Sequence, residues 1–141
     1  MAIEHKILLV DDERGMLDSN KALLEAAGYQ VVPALGGKEA LDRLEHDEFD
    51  LVLLDMNMPE VDGPQVMEFI SEKNINVAIV VLSGETSFDQ VTSAFQLGAF
   101  DYIKKPFEFD ELQHTLRNAI RKSELEKSLF SLRKQLERSE R

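Results

Sequence analysis

Cysteine is absent from this sequence, which excludes a disulfide framework and any thiolate metal site. A thiol-free chain suits a reducing cytoplasm, the expected location. Long apolar runs are absent as well. The longest, Leu51–Leu54 and Val77–Leu82, fall far short of the roughly 20 residues of a membrane-spanning helix. The N-terminus lacks the pattern of a cleavable secretion signal, so no membrane partner is expected. Basic charge is scarce: 16 Lys and Arg stand against 27 Asp and Glu, a net −11. The shortage is uneven, because residues 121–141 carry seven Lys/Arg and four Glu, a local +3, which leaves −14 on the first 120. So acidic a body does not hold nucleic acid by its phosphates. It suits a basic partner surface or a site that concentrates cations.

What is present is enough for one domain with a core and something left over. The chain has 141 residues, 43% hydrophobic and 30% charged, an ordinary composition for a globular protein. Lys6–Val10 is a short apolar run, a buried strand by pattern, and it ends in Asp11-Asp12-Glu13. Leu17, Leu24 and Ala27 recur at helical spacing, and Gly28 stops that helix. Val31-Val32 is a second, shorter strand ending in Pro33-Ala34-Leu35. Lys38–Glu48 follows as a helix with Ala40, Leu41 and Leu44 inward. Leu51–Leu54 is a third strand. Val66, Phe69 and Ile70 mark a helix after Pro64, and Val77–Leu82 is a fourth strand. Val91, Ala94, Phe95 and Gly98 lie along a fourth helix, Ala99–Ile103 is a fifth strand, and a last helix starts near Asp110.

Five strands alternating with five helices predict an α/β fold with parallel strands and crossover helices. Near-continuous apolar strands fit a sheet covered on both faces. In such open sheets ligands bind beyond the carboxyl ends of the strands, at the switch in strand order. The strand ends hold Asp11-Asp12, Asp55, Ser83 and Lys104-Lys105: three carboxylates, a hydroxyl and an ammonium at one edge. Clustered carboxylates repel unless a cation intervenes. A hard divalent ion, Mg²⁺ or Mn²⁺, would take Asp11, Asp12, Asp55 and a backbone carbonyl just after Asp55, that of Asn57. The lack of clustered His and Cys argues against zinc or copper. A carboxylate beside a metal and a lysine is equipped to take a phosphoryl group covalently, a reaction that needs mostly positioning and charge neutralisation.

The segments Leu9-Val10-Asp11-Asp12-Glu13, Asp55-Met56-Asn57-Met58-Pro59 with Asp62-Gly63, Leu82-Ser83-Gly84, and Tyr102-Ile103-Lys104-Lys105-Pro106-Phe107 together resemble the receiver domain of two-component response regulators. The resemblance covers about residues 5–122. It implies a flavodoxin-like doubly wound (βα)5 fold with strand order 2-1-3-4-5. It implies phosphorylation of Asp55 by the phosphohistidine of a sensor histidine kinase or a phosphotransfer protein. Asp11, Asp12, Asp55 and the Asn57 carbonyl would hold Mg²⁺, and Lys105, which directly precedes Pro106, would pair with the phosphoryl group. Ser83 stands where the switch hydroxyl is more often Thr, and Tyr102 matches the aromatic that turns inward when that hydroxyl moves. Asn57 and Glu85 match positions that tune phosphoryl lifetime, and a cis bond before Pro106 is expected. Such a protein turns over no external substrate beyond its own phosphorylation and dephosphorylation.

Taken singly, each motif has an ordinary structural reading. Asp11-Asp12-Glu13 could be a solvated loop and helix cap, Asp55 a turn residue, Ser83-Gly84 a plain turn, Lys105-Pro106 a surface lysine before a helix, and Tyr102 a half-buried core residue. His5, His46 and His114 are isolated from the acidic motifs and from each other and read as surface residues, and the Met residues as gap fillers or turn residues. Three alternatives stand beside the receiver. One is a metal-dependent phosphohydrolase with Asp55 as nucleophile, although Asn57 occupies the place of its usual second acid. One is a nucleotide carrier, whose first loop should be rich in Ser, Thr and Gly. The last is a scaffold with no phosphorylation.

From Glu111 to Arg141 there is no Gly and no Pro. Leu112, Leu116 and Ile120 should pack on the sheet, after which the apolar stripe passes to Leu125, Leu129, Leu132 and Leu136. Spacing of 4-3-4 is a coiled-coil seam, with a phase break near Ser123. The expected organisation is a domain over 1–122 and a helical linker over 123–141 reaching roughly 28 Å further. The stripe implies a parallel homodimer whose helix passes a signal to a further domain beyond Arg141; a fraying tail is the competing outcome. Phe130 lies off the seam.

Overall fold

A computed structural model describes residues 4–139. The outer ends of both expected segments, residues 1–3 and 140–141, lie outside the described residues. The order is β1 (Lys6–Asp11), α1 (Arg14–Ala26), β2 (Gln30–Leu35), α2 (Gly37–His46), β3 (Leu51–Asp55), α3 (Gly63–Glu72), β4 (Ala78–Ser83), α4 (Phe88–Gln96), β5 (Asp101–Lys104) and α5 (Phe109–Ser139). All strand pairs are parallel, in the order β2-β1-β3-β4-β5. This is the flavodoxin-like, doubly wound arrangement expected from the alternation.

The strands are apolar throughout because both faces are covered. Leu8, Val10, Val52 and Leu54 enter one core with α2, α3 and α4. Ile7, Leu9, Leu51 and Leu53 alternate into the other, against α1 and α5. Leu112, Leu116 and Ile120 seal that second face, as their spacing predicts.

Several boundaries move. β2 is longer than the Val31-Val32 pair: it starts at Gln30 and runs through Pro33, level with Leu9, to Leu35. An edge strand tolerates proline because one side of its ladder needs no donor. α4 ends at Gln96, and Gly98, with φ +106, stands outside it. Phe95 faces solvent at 45% exposure, so α4 buries a narrower stripe than its composition suggests. β5 starts at Asp101, two residues later than the apolar run. α5 is continuous through Ser123, whose hydroxyl is buried without a partner. Past that point Leu125, Leu129, Leu132 and Leu136 are each 55–59% exposed. Phe130 lies under the Lys134 ammonium, 4.8 Å from its ring centre. His5 pairs with Glu124 at 2.7 Å and His46 with Asp42 at 3.4 Å, so neither is free of carboxylates, although their partners lie outside the acidic motifs.

Candidate functional site

The sheet register sets the site. Val10 pairs with Leu54 and Asp55 with Leu82, so Asp11 and Asp55 end adjacent strands at the same level. Ser83 follows Leu82 and faces Lys104 across β5. The Lys105 N–H donates to the Ser83 carbonyl at 2.8 Å, which extends the ladder one step and turns the Lys105 side chain toward the acids. β1 leads to β2 on one side of the sheet while β3 and β4 lie on the other, so Asp11 and Asp55 flank the crevice where the chain changes direction.

Carboxylate oxygens of Asp11, Asp12 and Asp55 all lie within 4.8 Å of one another. Lys105 Nζ sits 3.2 Å from Asp11 Oδ2 and 3.9 Å from Asp55 Oδ2. Lys104 is exposed. Asp11 is buried and Asp12 exposed, so the cluster opens to solvent on one side. These acids are not used as a helix cap: Glu13 holds the N-cap position of α1 and makes no side-chain capping bond. Burial pushes the Asp55 carboxyl above the usual range; Lys105 and the Asn57 N–H pull it back, and Asp11 and Asp12 push it further up. The Asn57 N–H donates to Asp55 Oδ1 at 3.2 Å.

The loop after β3 is held by α3. Asp62 caps α3 through a reciprocal pair with Gln65, and the Gly63 N–H donates to the Met56 carbonyl at 3.0 Å. A Cβ on Gly63 would lie 2.7 Å from Met56 Cα and 2.9 Å from the Asp55 carbonyl oxygen. Glycine there lets α3 start directly behind the acid.

On the other side, Ser83 is fully buried and its Oγ accepts from the Glu85 N–H at 3.1 Å. The Tyr102 hydroxyl donates to the Glu85 carbonyl at 2.6 Å, which holds the half-buried ring against the β4–α4 loop. Asn57 Nδ2 donates to Glu85 Oε2 at 3.4 Å. Glu85 therefore joins the hydroxyl, the aromatic and the loop after Asp55. Asp11, Asp12, Asp55, Asn57, Ser83, Glu85, Tyr102 and Lys105 all lie along this edge, whereas Lys104 turns to solvent. One residue there that was not singled out in the sequence is Gln90, whose Nε2 donates to Asn57 Oδ1 at 3.2 Å. No motif marks it; only folding brings the first turn of α4 opposite Asn57. The Lys105–Pro106 bond is cis. Three hard-oxygen carboxylates with no His or Cys among them fit a divalent Mg²⁺-like ion, not a soft metal. With Asn57 engaged by Glu85 and Gln90, no acid stands two residues past Asp55 where a phosphohydrolase would use one.

Fold and site define an open α/β module with an oxygen-only acidic crevice at its switch point. The sequence matches the response regulator receiver domain over residues 7–117, and the chain belongs to that family. It is 37% identical over 122 residues to the transcriptional regulatory protein ZraR of Klebsiella oxytoca, covering 86% of this chain and 28% of that protein. It is 36% identical over 121 residues to the alkaline phosphatase synthesis transcriptional regulatory protein PhoP of Bacillus subtilis (strain 168), covering 85% of this chain and 50% of that protein. The chain thus spans about a quarter to a half of these two relatives. A crystal structure of a response regulator receiver domain protein (CheY-like) from Methanospirillum hungatei JF-1 superposes with a TM-score of 0.82 at 28% identity, covering 88% of this chain and 99% of that one. Among the described residues, no helix is long and apolar enough to cross a membrane.

Proposed function

We propose that Asp55 accepts a phosphoryl group from the phosphohistidine of a sensor histidine kinase or a phosphotransfer protein. An Asp55 oxygen attacks phosphorus, the phosphorus–nitrogen bond breaks, and the donor imidazole leaves. The observation that carries this reading is the convergence of Lys105 from one segment and Asp11 and Asp12 from another on one half-buried carboxylate. Asp11, Asp12, Asp55 and the Asn57 carbonyl would hold Mg²⁺ or Mn²⁺. A bound ion would offset charge on the phosphoryl oxygens. Lys105 balances charge from the opposite side, and its distance to Asp55 leaves it within reach of a phosphoryl oxygen.

The acyl phosphate adds about −1.5 to −2 charge and three acceptor oxygens. Among the described residues Ser83 Oγ only accepts, from the Glu85 N–H, and can donate to the new group by moving toward it. Its Oγ carries the Glu85 N–H, and Glu85 carries Tyr102, so that movement reaches β5 and α4. Phosphorylation biases a two-state element and shifts the α4–β5–α5 face. Residues 1–122 act as the receiver and 123–141 as a helical linker. The Leu125–Leu136 stripe docks on its counterpart in a second copy as a parallel coiled coil, and passes the state of the site to an output module such as the relatives' names describe. Neither membrane nor nucleic acid is a direct partner of this region, and the working compartment is the cytoplasm.

Incubation with radiolabelled acetyl phosphate and Mg²⁺ should load one acid-stable, base-labile phosphoryl group per chain. Asp55→Asn should take up none; stoichiometric label in that variant overturns the assignment.

A further inference from the structure

Gln90 lies in the first turn of α4, in none of the motifs, yet its side chain completes a hydrogen-bonded strap that joins α4 to the loops after β3 and β4. Gln90 Nε2 donates to Asn57 Oδ1, and Asn57 Nδ2 donates to Glu85 Oε2. An ionised carboxylate only accepts, so Glu85 fixes which end of the Asn57 amide faces it. Asn57 Oδ1 must then face Gln90, and Gln90 must present its nitrogen. One charge thus orients both amides.

The far end shows the consequence. Gln90 Oε1 is buried with no hydrogen-bond partner among the described residues, beside a cavity of about 430 Å³ lined by Met56, Asn57, Met58, Asp62, Pro64 and Ser93. A buried orphan carbonyl opposes stability. Methionine or leucine would fill this position without that penalty, so packing alone does not account for glutamine. Among the described residues, the Gln90–Asn57 bond is the side-chain hydrogen bond that ties α4 to the loop after Asp55.

We propose that Gln90 is a positioning residue that lengthens the life of the acyl phosphate, by holding Asn57 across the solvent side of Asp55. The inference rests on Asp55 as the phosphoryl acceptor. In hydrolysis a water oxygen attacks phosphorus and the bond from phosphorus to the Asp55 oxygen breaks. Asp55 leaves as a carboxylate, and inorganic phosphate and a proton are released. Water must arrive from the open side of the crevice, where Asn57 and Glu85 are exposed. The Asn57 backbone is already anchored by its N–H on Asp55 Oδ1. Its remaining freedom is side-chain rotation, and the strap removes it from both ends of the amide.

The test is the decay of the phosphorylated protein, loaded with labelled acetyl phosphate and Mg²⁺, then freed of donor. Gln90→Met keeps the volume and removes the orphan carbonyl. Decay should be about threefold to tenfold faster, the effect of one lost hydrogen bond on a barrier, with no lowering of the urea midpoint. In an Asn57→Ala background, Gln90→Met should change decay no further. Unchanged or slower decay overturns the proposal. So does acceleration that adds fully to that of Asn57→Ala, or that comes with a lower midpoint, because either marks a merely structural role. A labelled wild type with an unaltered Gln90→Met variant removes only the role of Gln90; an unlabelled wild type removes the Asp55 assignment itself.

Discussion

Replacing Asp55 with asparagine should stabilise the metal-free protein. The side chain is 13% exposed and stands within 4.8 Å of two other carboxylates. At an effective dielectric of about 20, a like-charge pair at that distance is unfavourable by roughly 3–4 kcal/mol, and the Lys105 contact at 3.9 Å returns about 4. Asp12 is exposed and its share is largely screened, so the charge terms nearly cancel. Burial of the carboxylate then decides the sign, in agreement with the upward displacement of its pKa. The expected gain is about 1–2 kcal/mol, or roughly 3–8 °C in Tm for a chain of this size. The pH dependence follows from the direction of that displacement. A carboxyl whose folded pKa is raised is neutral in both states at low pH and opposes folding only once it ionises. The advantage of Asp55→Asn should therefore be full at pH 7, shrink as pH falls through the raised value, and vanish below the ordinary carboxylate range. Mg²⁺ should reverse the ranking. An ion held by the native acids stabilises the wild type by about 2.7 kcal/mol at a hundredfold excess over its Kd, and the variant, with one charged ligand fewer, gains less. Urea unfolding in EDTA and in Mg²⁺, at pH 4 and pH 7, reads all of this. A variant less stable than the wild type in EDTA at pH 7, or equal Mg²⁺ increments in both proteins, refutes the electrostatic account.

Gly63→Ala should cost about 1–3 kcal/mol, because the added methyl meets the Asp55–Met56 backbone and an overpacked core must shift; it should also slow phosphoryl uptake, and a variant with wild-type midpoint and rate contradicts the close packing of α3 on β3. Leu129→Glu with Leu132→Glu should leave the unfolding of the domain unchanged, since both positions are more than half exposed, while shifting sedimentation at high concentration from dimer to monomer. A wild type that sediments as a monomer with and without a phosphoryl mimic rules out the coiled coil.

The amino-acid order by itself determined the alternation of strands and helices, and with it a parallel sheet covered on both faces. Apolar periodicity and the placement of Gly28 and Pro64 are local signals, and local signals survive without a structure. It also determined the chemical inventory, because acids, a hydroxyl and lysines follow the strands directly. What the tertiary structure decided was adjacency. Lys105 was singled out by its place before Pro106, but its reach to the acids depends on the hydrogen bond from its N–H to the Ser83 carbonyl, between segments more than 20 residues apart. That Asp11 is buried while Asp12 is exposed depends on where β1 stops against β3. β2 extends through Pro33 because the strand lies at an edge, a property of sheet order and not of proline. Glu85 joins Ser83, Tyr102 and Asn57 because the loop after β4 packs against both β5 and the loop after β3, and Gln90 follows no periodic rule at all. A sequence states which groups are available, but hydrogen bonds between segments far apart in the chain are fixed only when packing sets their distance and direction.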